Sequence, residues 1–161
     1  MNDYLYSDTN QKHDIFLHDC FCNAITLQKN TLIFHFAEGF FLGKDHALNS
    51  LDTLAYTGES EMRIQLVYTD PDVNVTIYLM KETENGTCRQ EIPLKEFMKQ
   101  ICQEKQLEFL YTYQGIDTDS VLFRCELHFD KHPFRRECVL LISAKEISYC
   151  WNELFPEGRT S

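Results

Sequence analysis

Leu32-Ile33-Phe34-His35-Phe36 places a large apolar side chain at every second position. Successive side chains of an extended chain point to opposite faces, so a period of two builds a strand with one buried side. The same alternation returns over Met62 to Tyr68, Val75 to Leu79, Leu107 to Tyr113 and Val121 to Phe129. Antiparallel sheets carry this pattern because one face can meet the core and the other water. The expected fold class is therefore α+β: an antiparallel β-rich sheet, a barrel or a sandwich, of about eight or nine strands with one packed helix.

That helix begins at Pro93 and covers about residues 93–105. Leu94, Phe97, Met98, Ile101 and Cys102 fall at i, i+3, i+4, i+7 and i+8, a single apolar stripe, and Lys95, Glu96, Lys99 and Gln100 take the other side. Asp70-Pro71-Asp72 reads as a turn, and Glu84-Asn85-Gly86 as the tip of a hairpin. Between Ile15 and Leu27 the apolar phase breaks: Cys20 and Cys22 are even, Ile25 and Leu27 odd, as at a β-bulge. Residues 43–61 are the least regular stretch, where Leu48, Leu51 and Ala55 could line a short helix capped by Asp45. Cys138 to Ile142 and Ile147 to Trp151 read as the two last strands. The expected organisation is a flexible segment over residues 1–13, one α+β domain over 14–155 and a flexible tail over 156–161.

Composition narrows the classes of function. Fifteen basic against 25 acidic residues leave a formal charge of −10, which repels a phosphate backbone, so no nucleic acid is expected as partner and a basic protein is favoured. No run approaches the roughly 18 apolar residues of a membrane span, so no membrane partner is expected either. The seven cysteines are odd in number and scattered, and nothing at the N-terminus reads as an export signal. They are expected to be reduced thiols of a cytoplasmic protein.

Among chemically able residues the densest group is His18-Asp19-Cys20-Phe21-Cys22. On a strand His18, Cys20 and Cys22 would share a face and are candidate metal ligands, although Cys-x-Cys is shorter than the usual zinc spacing and lacks a second pair. The simpler expectation is no metal and no cofactor, with the cysteines packed inside. A Cys20 or Cys22 nucleophile with His18 or His35 as base lacks any recognisable local signature. Asp70 to Lys81 opens like a calcium loop but has Val75 where Gly is required and Lys81 where Glu is required. Arg135 and Arg136, in the one basic concentration, could fork an anion. His18, Asp19 and His35 could stand at the mouth of a pocket near residues 43–61.

His18-Asp19-Cys20, followed by Ile25, Leu32-x-Phe34-x-Phe36 and Gly39-Phe40, resembles the start of small proteins from gut Firmicutes that carry no assigned activity. It also resembles, more loosely, β-rich immunity proteins of bacterial toxin systems. The resemblance covers the first quarter of the chain and implies no catalytic residues. The function expected is a non-enzymatic binding protein that engages a basic partner through an acidic surface, immunity-like in one form. The alternatives are a small-ligand barrel or an enzyme with its pocket near 43–61, and a homo-oligomer joined at the strand of Tyr149 and Trp151.

Overall fold

A computed structural model describes residues 3–101, 106–115 and 118–157. In chain order these residues form β1 (Tyr6–Asp8), β2 (Ile15–Phe16), β3 (Cys20–Cys22), β4 (Ala24–Gln28), β5 (Thr31–Phe36), β6 (Phe41–Leu42), β7 (Ala55–Tyr56) and β8 (Ser60–Leu66). They continue with α1 (Pro71–Asn74), β9 (Val75–Thr83), β10 (Gly86–Ile92), α2 (Leu94–Ile101), β11 (Gln106–Gln114), β12 (Ser120–His128), β13 (Arg135–Trp151) and β14 (Phe155–Pro156). The antiparallel β-rich α+β class holds, with more strands than the eight or nine expected because several regions break into two- and three-residue pieces.

β13 is the spine of the larger sheet. Cys138 to Ile142 lie between β12 and β9, and Tyr149 to Trp151 between β8 and β1. The two final strands expected from the alternation are thus one. Its register to β8 jumps between Ala144 and Glu146, so Lys145 is an extra residue. The bulge moves the set that joins the core from even positions (Cys138, Leu140, Ile142) to odd ones (Ile147, Tyr149, Trp151). A single strand therefore serves one core along its whole length.

The path through this sheet runs β3-β11-β12-β13-β8-β5-β4. Its two ends, β3 and β4, are joined in sequence by Asn23 alone, whose N–H donates to His35 O and whose Oδ1 accepts from Ala37 N. The sheet curls back on itself, with no ladder between β3 and β4 to close it as a barrel. Asn23 is also where the phase of Cys20 and Cys22 gives way to that of Ile25. Inside the curl Phe34, Phe109 and Phe123 pack ring against ring, and Phe36 and Phe40 extend the cluster to Trp151. These rings are all buried, and burying each stabilises the fold by about 2–3 kcal/mol. α2 lays Leu94, Phe97 and Ile101 against β4 and β9, as its stripe requires. The expected continuation over residues 102–105 lies outside the described residues.

Four differences from the sequence expectations have local causes. The Asp70-Pro71-Asp72 turn is the start of α1, a single helical turn capped by the Asp70 side chain, which accepts from Asp72 N. No helix forms near Asp45. The Asn49 side chain donates to Gly43 O and Thr53 O and accepts from Leu51 N, holding the backbone in turns instead. Tyr6–Asp8, in the segment expected to be flexible, pair with β13, and Leu5 N donates to Asn152 Oδ1. Pro156, the first residue of the expected tail, pairs with Ala55. No helix among the described residues is long and apolar enough to cross a membrane.

Candidate functional site

The smaller sheet, β14-β7-β6-β2, is built from two-residue strands. Its registers set Phe155 opposite Tyr56, Tyr56 opposite Phe41, and Phe41 opposite Phe16. Directly opposed residues share a face, so four rings form one row across the sheet, with Tyr56 and Phe155 stacked at 5.2 Å. The alternate row, Ala55, Leu42 and Ile15, is buried. One face of this sheet closes the core and the other is an aromatic rail left partly open to water.

Two clefts meet the rail. The first, of about 740 Å³, has Phe16, Leu17 and His18 on one side and β11 from Leu110 to Gln114 on the other. β3 pairs with β11 over Leu107 to Phe109 and stops there. Beyond it the outer edge of β11 has no strand partner among the described residues. Gly115 N–H donates to Ser120 O across the β12 ladder. By alternation, the backbone groups of Tyr113 and Tyr111 face β12 as well, and those of Thr112 and Gln114 face the cleft. A register shift at Leu110 also changes the side-chain phase of β11. Leu107 and Phe109 are buried, whereas Tyr111 and Tyr113, on the same odd positions, pair with Arg124 and Leu122 on the outer face and are more than half exposed, at 51% and 56%.

The second cleft, of about 610 Å³, lies over the rail itself. Phe21, Phe41, Tyr56 and Phe155 form its aromatic walls, Gly39 and Gly58 contribute backbone, and Asp19 and Glu38 stand exposed at its edge. Asp19 has φ +63° and donates its N–H to Phe109 O at 2.8 Å. That left-handed geometry is uncommon for a residue with a Cβ, and here β11 holds it in place.

The residues singled out in the sequence separate. His18 is exposed on the wall of the first cleft, its Nδ1 donating to Leu110 O at 2.7 Å and its Nε2 3.4 Å from Asp19 Oδ2. Cys20 and Cys22 are buried, with Cys20 Sγ against Phe16 O and His18 O and Cys22 Sγ against Ala24 O. The three do not converge as ligands. Burial, with the Asp19 charge beside it, pushes the Cys20 thiol up to about 12, so it is not a thiolate at neutral pH and is a poor ligand and nucleophile. His35 sits elsewhere, between Thr26 Oγ1 at 3.1 Å and the buried Glu61 at 3.4 Å. Arg135 and Arg136 point apart. Arg135 reaches Glu126 at 3.7 Å, whereas Arg136 Nε donates to Met80 O, and its Nη2 is buried with no hydrogen-bond partner among the described residues. Asp19 and the end of the 43–61 stretch, at Tyr56 and Gly58, do meet, in the second cleft.

Sequence reasoning passed over two other groups. His46 is buried and bonds Asp8 at 2.7 Å, with Asp14 at 3.8 Å. His46 Nδ1 accepts Leu48 N–H, so the ring proton is assigned to Nε2, which faces Asp8 and is not free to coordinate a metal. His128 Nε2 donates to Glu108 at 2.9 Å with Glu126 close by, a charged row across β11 and β12. Neither group has a sequence signature, because its members are brought together only by strand pairing or by a loop. The rail was equally hidden: its strands are two residues long, too short to show a period.

Comparisons of the chain with protein-family models, with curated proteins and with solved structures found no match.

Proposed function

We propose that the protein is a non-enzymatic interaction module that captures a basic partner protein through an extended segment. The segment would add as a strand to the open edge of β11 at Tyr111 to Gln114. The observation that carries this reading is that edge: beyond Leu110, whose carbonyl accepts from His18, the backbone groups of Thr112 and Gln114 face a cleft of about 740 Å³ with no strand beside them among the described residues, next to exposed Tyr111 and Tyr113. Strand addition draws affinity from main-chain hydrogen bonds and specificity from alternate side chains. The charge of −10 sets the sign of the partner and speeds its approach. Steric blocking of a basic toxin domain is one concrete form of the activity.

The strand end at Tyr149 to Trp151, where the homo-oligomer alternative places its contact, is flanked on both sides by β1 and β8, which leaves β11 as the better-placed edge.

Fluorescence anisotropy of a labelled Lys-Val alternating peptide against its Glu-Val counterpart tests this. The basic peptide should bind and the acidic one should not. Affinity should fall about tenfold or more between low and high salt. Thr112→Pro, which removes a donor facing the cleft and none in the β12 ladder, should abolish binding. Equal binding of both peptides, or full binding to Thr112→Pro, would overturn the proposal.

A further inference from the structure

We infer that the protein carries an anion site at the forked end of its larger sheet, built around Arg136 and suited to a phosphate group. The inference goes beyond the proposed function, since it concerns another surface and a ligand of opposite charge. The ladder between β13 and β9 ends at Cys138 and Leu79, whereas β9 runs on with β10 to Thr83 and β13 runs on with β12 to Arg135. The sheet therefore forks. A cleft of about 530 Å³ opens between Met80 to Glu82 on one arm and Arg135 to Glu137 on the other. A second, of about 320 Å³, lies along the connection from Phe129 to Pro133. His132, Pro133 and Arg136 line both.

Alternation along the two arms sorts the charges. Arg136 keeps the phase of Cys138 and Leu140, and Lys81 keeps that of Leu79 and Ile77, four residues of the buried core. Both cations thus belong to the core face, at its end. Arg135, Glu137 and Glu82 take the opposite phase. There Glu137 accepts from Arg124 at 2.7 Å, and Arg135 lies 3.7 Å from Glu126. Arg136 is fixed across the fork by its Nε, which donates to Met80 O at 3.0 Å. Its Nη2 is buried with no acceptor, and neither Arg136 nor Lys81 nor Lys131 forms an ion pair among the described residues. A guanidinium turned toward a core, partly out of water and short of a counter-charge, is costly. An anion in the cleft supplies that counter-charge. Among the described residues of the smaller cleft Asp130 is the one carboxylate, against Lys131, His132 and Arg136, with Lys81 across the fork. A guanidinium with ammonium groups around it matches the charge and the several acceptor oxygens of a phosphate better than a single carboxylate.

The test uses the full chain labelled with ¹⁵N and titrated with inorganic phosphate, phenyl phosphate and benzoate, each against chloride at the same ionic strength. Both phosphates should shift the amides of Lys81, His132 and Arg136 saturably, benzoate should bind about tenfold more weakly, and chloride should leave them unmoved. Tighter binding of phenyl phosphate than of the free ion identifies an organic monoester as the ligand, and equal binding identifies the ion itself; either result supports the site. Arg136→Met keeps the length of the side chain without its charge. This variant should fold at least as stably as the wild type and lose phosphate affinity by about tenfold or more. The rise in melting temperature that phosphate gives the wild type should vanish with it. Lys81→Gln should weaken binding by a smaller factor, and Arg135→Gln, on the opposite face, should leave it unchanged. No shift at those three amides, equal affinity for benzoate and phenyl phosphate, or full phosphate affinity in Arg136→Met would overturn the site. So would equal losses in Arg135→Gln and Arg136→Met. None of these outcomes bears on capture of the basic peptide at β11, so the two proposals fail separately.

Discussion

His46 Nε2 lies 2.7 Å from Asp8 Oδ2, joining the first strand to the irregular stretch that follows β6. The other ring nitrogen accepts Leu48 N–H at 3.0 Å, and the ring stands edge-on to Trp151 at 5.9 Å. One buried imidazole thus holds the N-terminal segment, a loop and the end of β13 together. His46→Ala strands the Leu48 donor and the Asp8 carboxylate and leaves a void beside Trp151. The variant should lose about 2–4 kcal/mol in urea unfolding, against about 1 kcal/mol or less for Asp8→Asn, which keeps an acceptor in place. Equal losses would mean that the ring only fills space.

Alkali should unfold the protein earlier than its acidic composition suggests. Burial pushes the Cys20 and Cys138 thiols from an ordinary value of 9.0 up to about 12, and Tyr149 from 10.0 up to about 12. Cys125 is raised too, by burial first and then by the neighbouring Cys138 and Cys22. Well below pH 9 these groups are protonated whether the chain is folded or not, so they contribute no slope. Between pH 9 and 12 the unfolded chain gives up protons that the folded chain retains, and stability falls. Cys20 and Cys138 together account for roughly 5 kcal/mol by about pH 11. Urea midpoints measured from pH 7 to 11 should be flat and then drop. The drop should be smaller in Cys138→Ala once its own loss of packing is subtracted.

The thiols should also differ in reactivity. Of the six described cysteines, Cys88 is exposed and Cys20, Cys22, Cys125, Cys138 and Cys150 are buried. A thiol-specific disulfide reagent should label Cys88 in the native protein and reach those five only on unfolding, as read by peptide mass spectrometry. Cys20 also lines the second cleft, so rapid native labelling there would show that its wall opens.

Lys145 tests the spine directly. Deleting it removes the bulge and returns Ile147, Tyr149 and Trp151 to the face opposite the core. The deletion should leave no cooperative unfolding transition, whereas Lys145→Ala, which keeps the extra residue, should stay within about 0.5 kcal/mol of the wild type.

How far the sequence could be read follows from how far each pattern extends. Phe34, Ile64, Ile77, Phe109 and Phe123 sit on uninterrupted alternation, and all five are buried in the strands expected of them. α2 shows its stripe because Leu94, Phe97 and Ile101 span two turns. Periodicity fails at single inserted residues. Leu107, Phe109, Tyr111 and Tyr113 read as one face, yet the shift at Leu110 sends the two tyrosines to the other. The site was the least legible part. Asp19 stood out for its neighbours, but Glu38, Tyr56 and Phe155 lie in pieces too short for any period and meet only through tertiary pairing.

The spine has a consequence for the order of events during synthesis. β13 contributes a ladder to β1, β8, β9 and β12, all made before it. Until Trp151 leaves the ribosomal tunnel, Met62, Ile64 and Ile77 have no strand beside them on that side, and the N-terminal segment has nothing to pair with. Contacts this distant along the chain are slow to form and leave apolar edges exposed while they wait. The nascent chain therefore carries apolar strand edges without their partner until β13 arrives. Its moment of greatest vulnerability falls just before β13 emerges and can pair.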